Sequence, residues 1–169
     1  RLVGSEMCIR DRVAVKQGTN VAAREAMLLG AMLAGQAFAN APVAAVHALA
    51  YPLGGNYHIP HGLSNSLVLP HVLRFNAPEA GQYYAELASI ILPNKILPTD
   101  PLEVSELLAT YFLALAEDLG LQTTLQQMNI EQADLPMLAE QAMLQQRLLI
   151  NNPRDVSLDD ALAIYQQAF

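Results

Sequence analysis

Cysteine and charged residues are scarce in this 169-residue chain. The one cysteine is Cys8, which excludes a disulfide framework and a cysteine-based zinc site and fits a reducing, cytoplasmic setting. The nine Lys and Arg residues are scattered and the net charge is -7, so the basic patch of a nucleic-acid-binding protein is excluded. Charged residues make up 15% and hydrophobic residues 53%, which predicts extensive buried helix surface or an apolar face left by a missing partner.

The sequence also lacks a strand pattern and a secretory leader. No stretch of useful length alternates apolar and polar residues, and no internal repeat is present, so the predicted fold is all-α in one domain. The start, RLVGSEMCIRDR, has no apolar segment of the signal-peptide type. Its string SEMCIRD resembles translated sequencing adapter, so we predict a non-native leader at residues 1–12 and a helical domain at residues 13–169.

Several segments have helical composition, and their ends carry capping signals. Helices are predicted over residues 21–40, 41–51, 61–76, 79–92, 102–119 and 135–148, with a last helix after Ser157. Asn20 is a predicted N-cap, Gly120 a predicted C-terminal cap, and Ser157 with Asp160 a capping box. Leu158, Ala161, Leu162 and Tyr165 are the predicted apolar face of the last helix. Pro70 predicts a kink in the helix over 61–76.

Residues 26–46 carry no charge, which raises a membrane span as an alternative. Alanine is frequent there, Gln36 and Asn40 are polar, and Pro42 interrupts the run, so transfer into a bilayer is less favourable than for a leucine-rich span. We therefore expect no membrane association, and we interpret this segment as a buried central helix.

Three of the four histidines, His47, His58 and His61, lie within fifteen residues. Residues 52–55, Pro-Leu-Gly-Gly, are predicted to break the helix between them and to fold the chain back, bringing the rings of His47 and His61 to one point. Two imidazoles that converge can bind one metal ion. From spacing alone, a structural role as packed core histidines is the favoured interpretation.

The run ANAPVAAVHALAYPLGGNYHIPHGLSNSLVLPHVLRFN, over residues 39–76, resembles the signature segment of the iron-containing (group III) alcohol dehydrogenases. REAMLLGAMLAGQAFANA and the closing LLINNPRDVSLDDALAIYQQAF resemble other parts of the same family. The resemblance implies that residues 13–169 are the helical C-terminal domain, which binds the metal and carries out catalysis, and that the nucleotide-binding α/β domain precedes it in the full-length protein. It also implies an NAD- or NADP-linked oxidoreductase in which a divalent metal polarises an alcohol or carbonyl oxygen.

The resemblance also assigns roles to individual residues. His47 and His61 match two ligands of a catalytic metal, Fe²⁺ or alternatively Zn²⁺, whose other ligands are an Asp and a His on an earlier helix. Tyr51 replaces a second histidine that some members carry, and Tyr51 and His58 are the candidates for cofactor binding. The candidates for the substrate pocket are Phe38, Val43 and Asn151. His71 is interpreted as a packed structural histidine.

The implied substrate is a small alcohol or aldehyde, and the full-length protein is expected to form a homo-oligomer. With two ligands, this chain alone is expected to bind metal poorly and to show no turnover. Two alternatives stay open: a zinc-dependent polyol or glycerol-type dehydrogenase, and a helical interaction module without catalysis.

Overall fold

The structure, a computed structural model, describes the backbone of residues 3–169 and the side chains from residue 10 onward. Every regular element within that span is helical, which confirms the all-α prediction. The helices are, in chain order, α1 (Val3–Lys16), α2 (Val21–Asn40), α3 (Ala45–Tyr57), α4 (His61–Ile91), α5 (Pro101–Asp118), α6 (Leu135–Met143), α7 (Gln146–Leu149) and α8 (Leu158–Ala168). Two 3₁₀ turns, Gln126–Met128 and Gln132–Asp134, connect α5 to α6.

Local capping chemistry sets three helix ends where the sequence predicted them. The Asn20 side chain accepts a hydrogen bond from the Ala23 amide at 3.1 Å and starts α2. Gly120, with φ of +77°, follows the end of α5 in the left-handed conformation that glycine adopts without strain. Ser157 and Asp160 form the reciprocal capping box of α8.

The apolar face of α8 agrees with the prediction except at Leu158. Ala161 and Tyr165 are buried and Leu162 packs partly buried against the core, whereas Leu158, the first residue of the helix, is exposed. Ile164 and Ala168 are buried as well and extend this face. A first-turn residue lies at the edge of the packed surface, so its side chain remains in solvent.

The predicted break at residues 52–55 is wrong, because α3 continues through it to Tyr57. Pro52 lies inside this helix and is buried with Leu53 in the core, and that burial offsets the lost amide hydrogen bond. The helix ends at His58, whose φ of 55° is left-handed and whose amide donates to the Gly54 carbonyl. The extended stretch before Pro60 then prevents continuation. Pro42 precedes the helix and does not belong to its first turn.

Two further boundaries differ from the sequence prediction. The helices predicted over 61–76 and 79–92 form one helix of 31 residues, α4, which contains both Pro70 and Pro78. Conversely, the helix predicted over 135–148 is divided into α6 and α7. In α4, the burial of residues on both faces of the helix outweighs the low helix propensity of the two prolines.

Two apolar clusters make up the core. The larger one joins α3, the first half of α4, α6, α7 and α8, and Tyr165 at its centre donates a hydrogen bond from its hydroxyl to the Leu49 carbonyl at 2.6 Å. The smaller one lies between the second half of α4 and α5. On its surface the Arg74 guanidinium binds the Glu106 carboxylate through two contacts of 2.7 Å. Helix α4 is therefore the element that both clusters share.

Helix α2 is not the buried central helix that the sequence suggested. Only Ala23 and Gly30 are buried in it, while Leu28 is 72% exposed and Met32 51% exposed. Its composition therefore predicts an apolar surface correctly, but the described residues leave that surface uncovered. Among these residues no single helix is long and apolar enough to cross a membrane, and α2 with α3 meets the length and composition criteria only as a pair bent by 110°.

Candidate metal centre

The structure brings the rings of His47 and His61 together. His47 lies in the first turn of α3 and His61 is the first residue of α4. Their ring centroids are 5.1 Å apart with an interplanar angle of 56°. The rings meet although the predicted bend within residues 52–55 does not exist.

The route of the chain between the two helices explains the contact. Tyr51 lies one turn after His47 on α3, and its ring centroid is 6.3 Å from that of His61. His61 therefore lies beside the first half of α3, so residues 58–60 must return the chain along this helix before α4 begins. The Ser64 hydroxyl donates to the Ile59 carbonyl at 3.2 Å and fixes this return.

Both imidazoles present Nε2 to one side chain. Asn65 Nδ2 lies 3.4 Å from His47 Nε2 and 3.2 Å from His61 Nε2. Two ring nitrogens that converge on one point have, when unprotonated, the donor chemistry of a divalent transition-metal site. The residues present therefore fit such an ion as two of its ligands. No group of three or more His, Cys, Asp or Glu side chains that could hold a metal ion is found in the described part of the chain.

The environment of the pair favours the neutral ligand form. Burial lowers the pKa of the half-buried His47 imidazole, and the nearby His61 lowers it further because two like charges would repel each other. A neutral imidazole keeps the lone pair that a metal takes, so protons compete less for His47 near neutral pH.

An apolar cleft of about 260 Å³ adjoins the histidine pair. Val46 and Gly62, the chain neighbours of the two histidines, lie in its wall together with Asn65. The remaining wall residues come from α4, α5 and the segment that follows α5; they are Ser66, Leu69, Phe112, Leu115, Ala116, Leu119 and Leu121. The Nε2 atoms of His47 and His61 therefore lie where solvent meets the apolar wall of this cleft.

The two candidates for cofactor binding lie in different places. Tyr51 is exposed and lies next to the histidine pair, since its ring is in contact with that of His61. His58 is exposed at the C-terminal end of α3, where its main role in the described structure is the left-handed turn. Their cofactor role stays a prediction.

Of the three candidates for the substrate pocket, only Val43 and Asn151 are in contact with each other. The Asn151 side-chain amide donates to the Val43 carbonyl at 3.2 Å, so these two residues lie together at the entry to α3. Phe38 is 54% exposed near the end of α2. Their role in a substrate pocket also stays a prediction.

His71 is buried on α4, as interpreted from the sequence, and its Nδ1 atom has no hydrogen-bond partner among the described residues. Asn65, in contrast, was missed by the sequence reasoning. The signal that points to it is its spacing of four residues from His61, which puts both side chains on one face of a helix.

Comparison with known proteins shows the family of the chain. The sequence pattern of the Fe-containing alcohol dehydrogenase family, C-terminal, matches residues 8–169. The 1,3-propanediol dehydrogenase of Klebsiella pneumoniae is 37% identical over 158 residues, which are 94% of this chain and 40% of that protein. The lactaldehyde reductase of Escherichia coli K12 is 35% identical over 147 residues, which are 87% of this chain and 38% of that protein.

A crystal structure of a 1,3-propanediol oxidoreductase superposes with a TM-score of 0.89 and 34% identity, covering 99% of this chain and 44% of that chain. The chain thus spans about two fifths of the length of the relatives that it matches. The match extends over both core clusters and the histidine pair, and the chain belongs to the iron-containing alcohol dehydrogenase family, of which it forms the C-terminal domain.

Proposed function

We propose that this chain is the metal-binding part of an NAD(P)-linked alcohol dehydrogenase or aldehyde reductase, with His47 and His61 as two of the metal ligands. The observation that supports this role is the convergence of both Nε2 atoms, within 3.4 Å and 3.2 Å, on the same side-chain nitrogen. The two relatives act, by their names, on 1,3-propanediol and lactaldehyde, which supports a small alcohol or aldehyde as the substrate class.

A bound divalent ion, Fe²⁺ in the family's name, would supply a Lewis acid that stabilises a developing alkoxide or polarises a carbonyl. His47 and His61 would hold that ion at the end of the apolar cleft, with their Nε2 lone pairs free of protons. The lowered pKa of His47 favours metal binding because fewer protons compete with the metal for the ring nitrogen. Hydride exchange requires a nicotinamide, for which the segment upstream in the full-length protein would supply the binding site.

The cleft wall contributes substrate selection and exclusion of water. Phe112 and Leu115 face a volume of about 260 Å³, enough for a short carbon chain but not for a bulky polar molecule. Low local polarity strengthens the attraction between a cation and a developing oxyanion. The scattered positive charge of the chain, with a net charge of -7, supports a small-molecule substrate and no nucleic acid.

A titration of the 169-residue chain with Co²⁺, followed by its visible absorption, tests the ligand assignment. We expect weak binding to the unsubstituted chain and at least about a tenfold loss of affinity in His47→Ala and in His61→Ala, because each removes one of two nitrogen donors. His58→Ala is the matched control, since His58 is exposed and lies outside the pair. Equal affinity of all four proteins would contradict the assignment. We also expect no alcohol oxidation by this chain alone with any nicotinamide cofactor.

A further inference from the structure

Asn65 contacts both imidazoles from a single position on α4. It follows His61 by four residues, so the two side chains share a helix face. It also reaches His47 on α3, eighteen residues earlier in the chain. Its amide group is therefore the one described polar group that links the two rings directly.

The chemistry of the amide dictates what the rings must present to it. Nδ2 carries two hydrogens and no lone pair, so it can donate one hydrogen bond to each ring and accept none. Each Nε2 must then be unprotonated, and the proton of each neutral ring lies on Nδ1. The Oδ1 atom of Asn65 is buried and has no hydrogen-bond partner among the described residues, so the two rings alone set the orientation of the amide.

The reverse orientation of the amide would reverse this requirement. With Oδ1 between the rings, each Nε2 would have to carry a proton and donate it, and neither lone pair would remain for a metal. The choice between the two orientations therefore rests on the proposed metal-binding function, because only the donating orientation keeps both nitrogens competent as ligands.

We propose that Asn65 is a positioning residue, which fixes His47 and His61 in the Nδ1–H tautomer and aims both Nε2 lone pairs at one point before a metal arrives. His47 and His61 would offer these two lone pairs to a bound divalent ion in place of the amide hydrogens. Asn65 lies in the wall of the apolar cleft together with Val46 and Gly62, and fewer water molecules can compete there for the two Nε2 atoms.

The tautomers can be measured by ¹⁵N NMR of the imidazole nitrogens in the metal-free 169-residue chain. We expect Nδ1–H to predominate for His47 and His61. In Asn65→Leu the ratio of Nδ1–H to Nε2–H should fall about fivefold for both rings, the change to which one hydrogen bond of about 1 kcal/mol converts. In Asn65→Asp, which keeps the shape but only accepts, both rings should change to protonated Nε2.

His58 serves as the internal control, because its exposed ring should keep the same ratio in all three proteins. Unchanged ratios for His47 and His61 in the two variants would overturn the inference. If Asn65→Leu fails to fold, Asn65→Asp decides the question, since its side chain has nearly the same volume.

Addition of Zn²⁺ to the same samples separates this inference from the proposed function. If the tautomers respond to substitution but zinc leaves both Nε2 signals in place, the positioning role stands and the metal-binding function fails. If zinc shifts both signals while the tautomers ignore the substitutions, the metal-binding function stands and the positioning role is overturned.

Discussion

A buried histidine makes the stability of this chain sensitive to mild acid. His71 on α4 is 7% exposed, and its Nδ1 atom has no partner among the described residues. Burial, together with a smaller effect of the nearby Arg74 guanidinium, lowers the pKa of His71 from 6.5 to about 4, and the Glu106 carboxylate acts in the opposite direction. The folded chain thus holds this ring neutral at a pH where the unfolded chain protonates it.

The size of the effect follows from the two pKa values. Above pH 6.5 both states hold the ring neutral and the stability is fully present. As the pH falls from 6.5 toward 4, only the unfolded state gains the proton, so the free energy of unfolding decreases. Integration between these values gives a loss of about 2 kcal/mol at pH 5 and about 3 kcal/mol at pH 4, as upper limits.

The test compares urea unfolding of the unsubstituted chain and His71→Phe at pH 7.5 and pH 5.0. Phenylalanine keeps a flat ring and removes the titrating group. Between pH 7.5 and pH 5.0, the free energy of unfolding should therefore decrease by about 2 kcal/mol less in the variant than in the unsubstituted chain. His58→Gln is the matched control, because an exposed histidine should leave the decrease intact. An equal decrease in His71→Phe and in the unsubstituted chain would refute the reasoning.

Two further predictions concern the core and the surface of α2. Tyr165→Phe removes the hydrogen bond of 2.6 Å to the Leu49 carbonyl. Chemical denaturation should then show that the free energy of unfolding is lower by about 1–1.5 kcal/mol. An unchanged free energy of unfolding would mean that this hydrogen bond does not stabilise the fold. Leu28→Glu with Met32→Lys puts an ion pair on an exposed apolar surface, so sedimentation velocity should show less self-association at unchanged stability. A loss of several kcal/mol in that double variant would show that the surface is packed.

The parts of the fold that could be predicted from the sequence depend on short-range chemistry. Asn20 and the pair Ser157 and Asp160 start helices because a side-chain oxygen meets amides three residues away, whatever packs around them. Gly120 ends a helix because it adopts a positive φ without strain. Such signals involve few neighbours, and all of these neighbours are close in the chain.

Long-range packing decides the parts that could not be predicted. Pro52 costs a helix about 3 kcal/mol on average, so the sequence alone predicts an end there. Pro52 is buried beside Leu53, which belongs to the larger cluster; the burial of these two side chains supplies free energy of the same order, and α3 continues. The composition of α2 likewise predicts an apolar surface, but composition does not say which part of a protein covers that surface.

The histidine pair combines both kinds of information. Residue type and family resemblance indicate His47 and His61 as ligands. The contact between their rings, however, depends on the return of the chain at residues 58–60. That return requires the left-handed conformation of His58 and the nearby Pro60. A non-glycine residue with positive φ costs free energy that the surrounding contacts must offset, and sequence spacing does not show those contacts. The contact between Asn65 and His47 joins two different helices, so spacing in the sequence does not reveal it. The candidate metal site therefore depends on the geometry of the loop as much as on its two histidines, and substitutions that alter the return at residues 58–60 should separate the rings while leaving both helices intact.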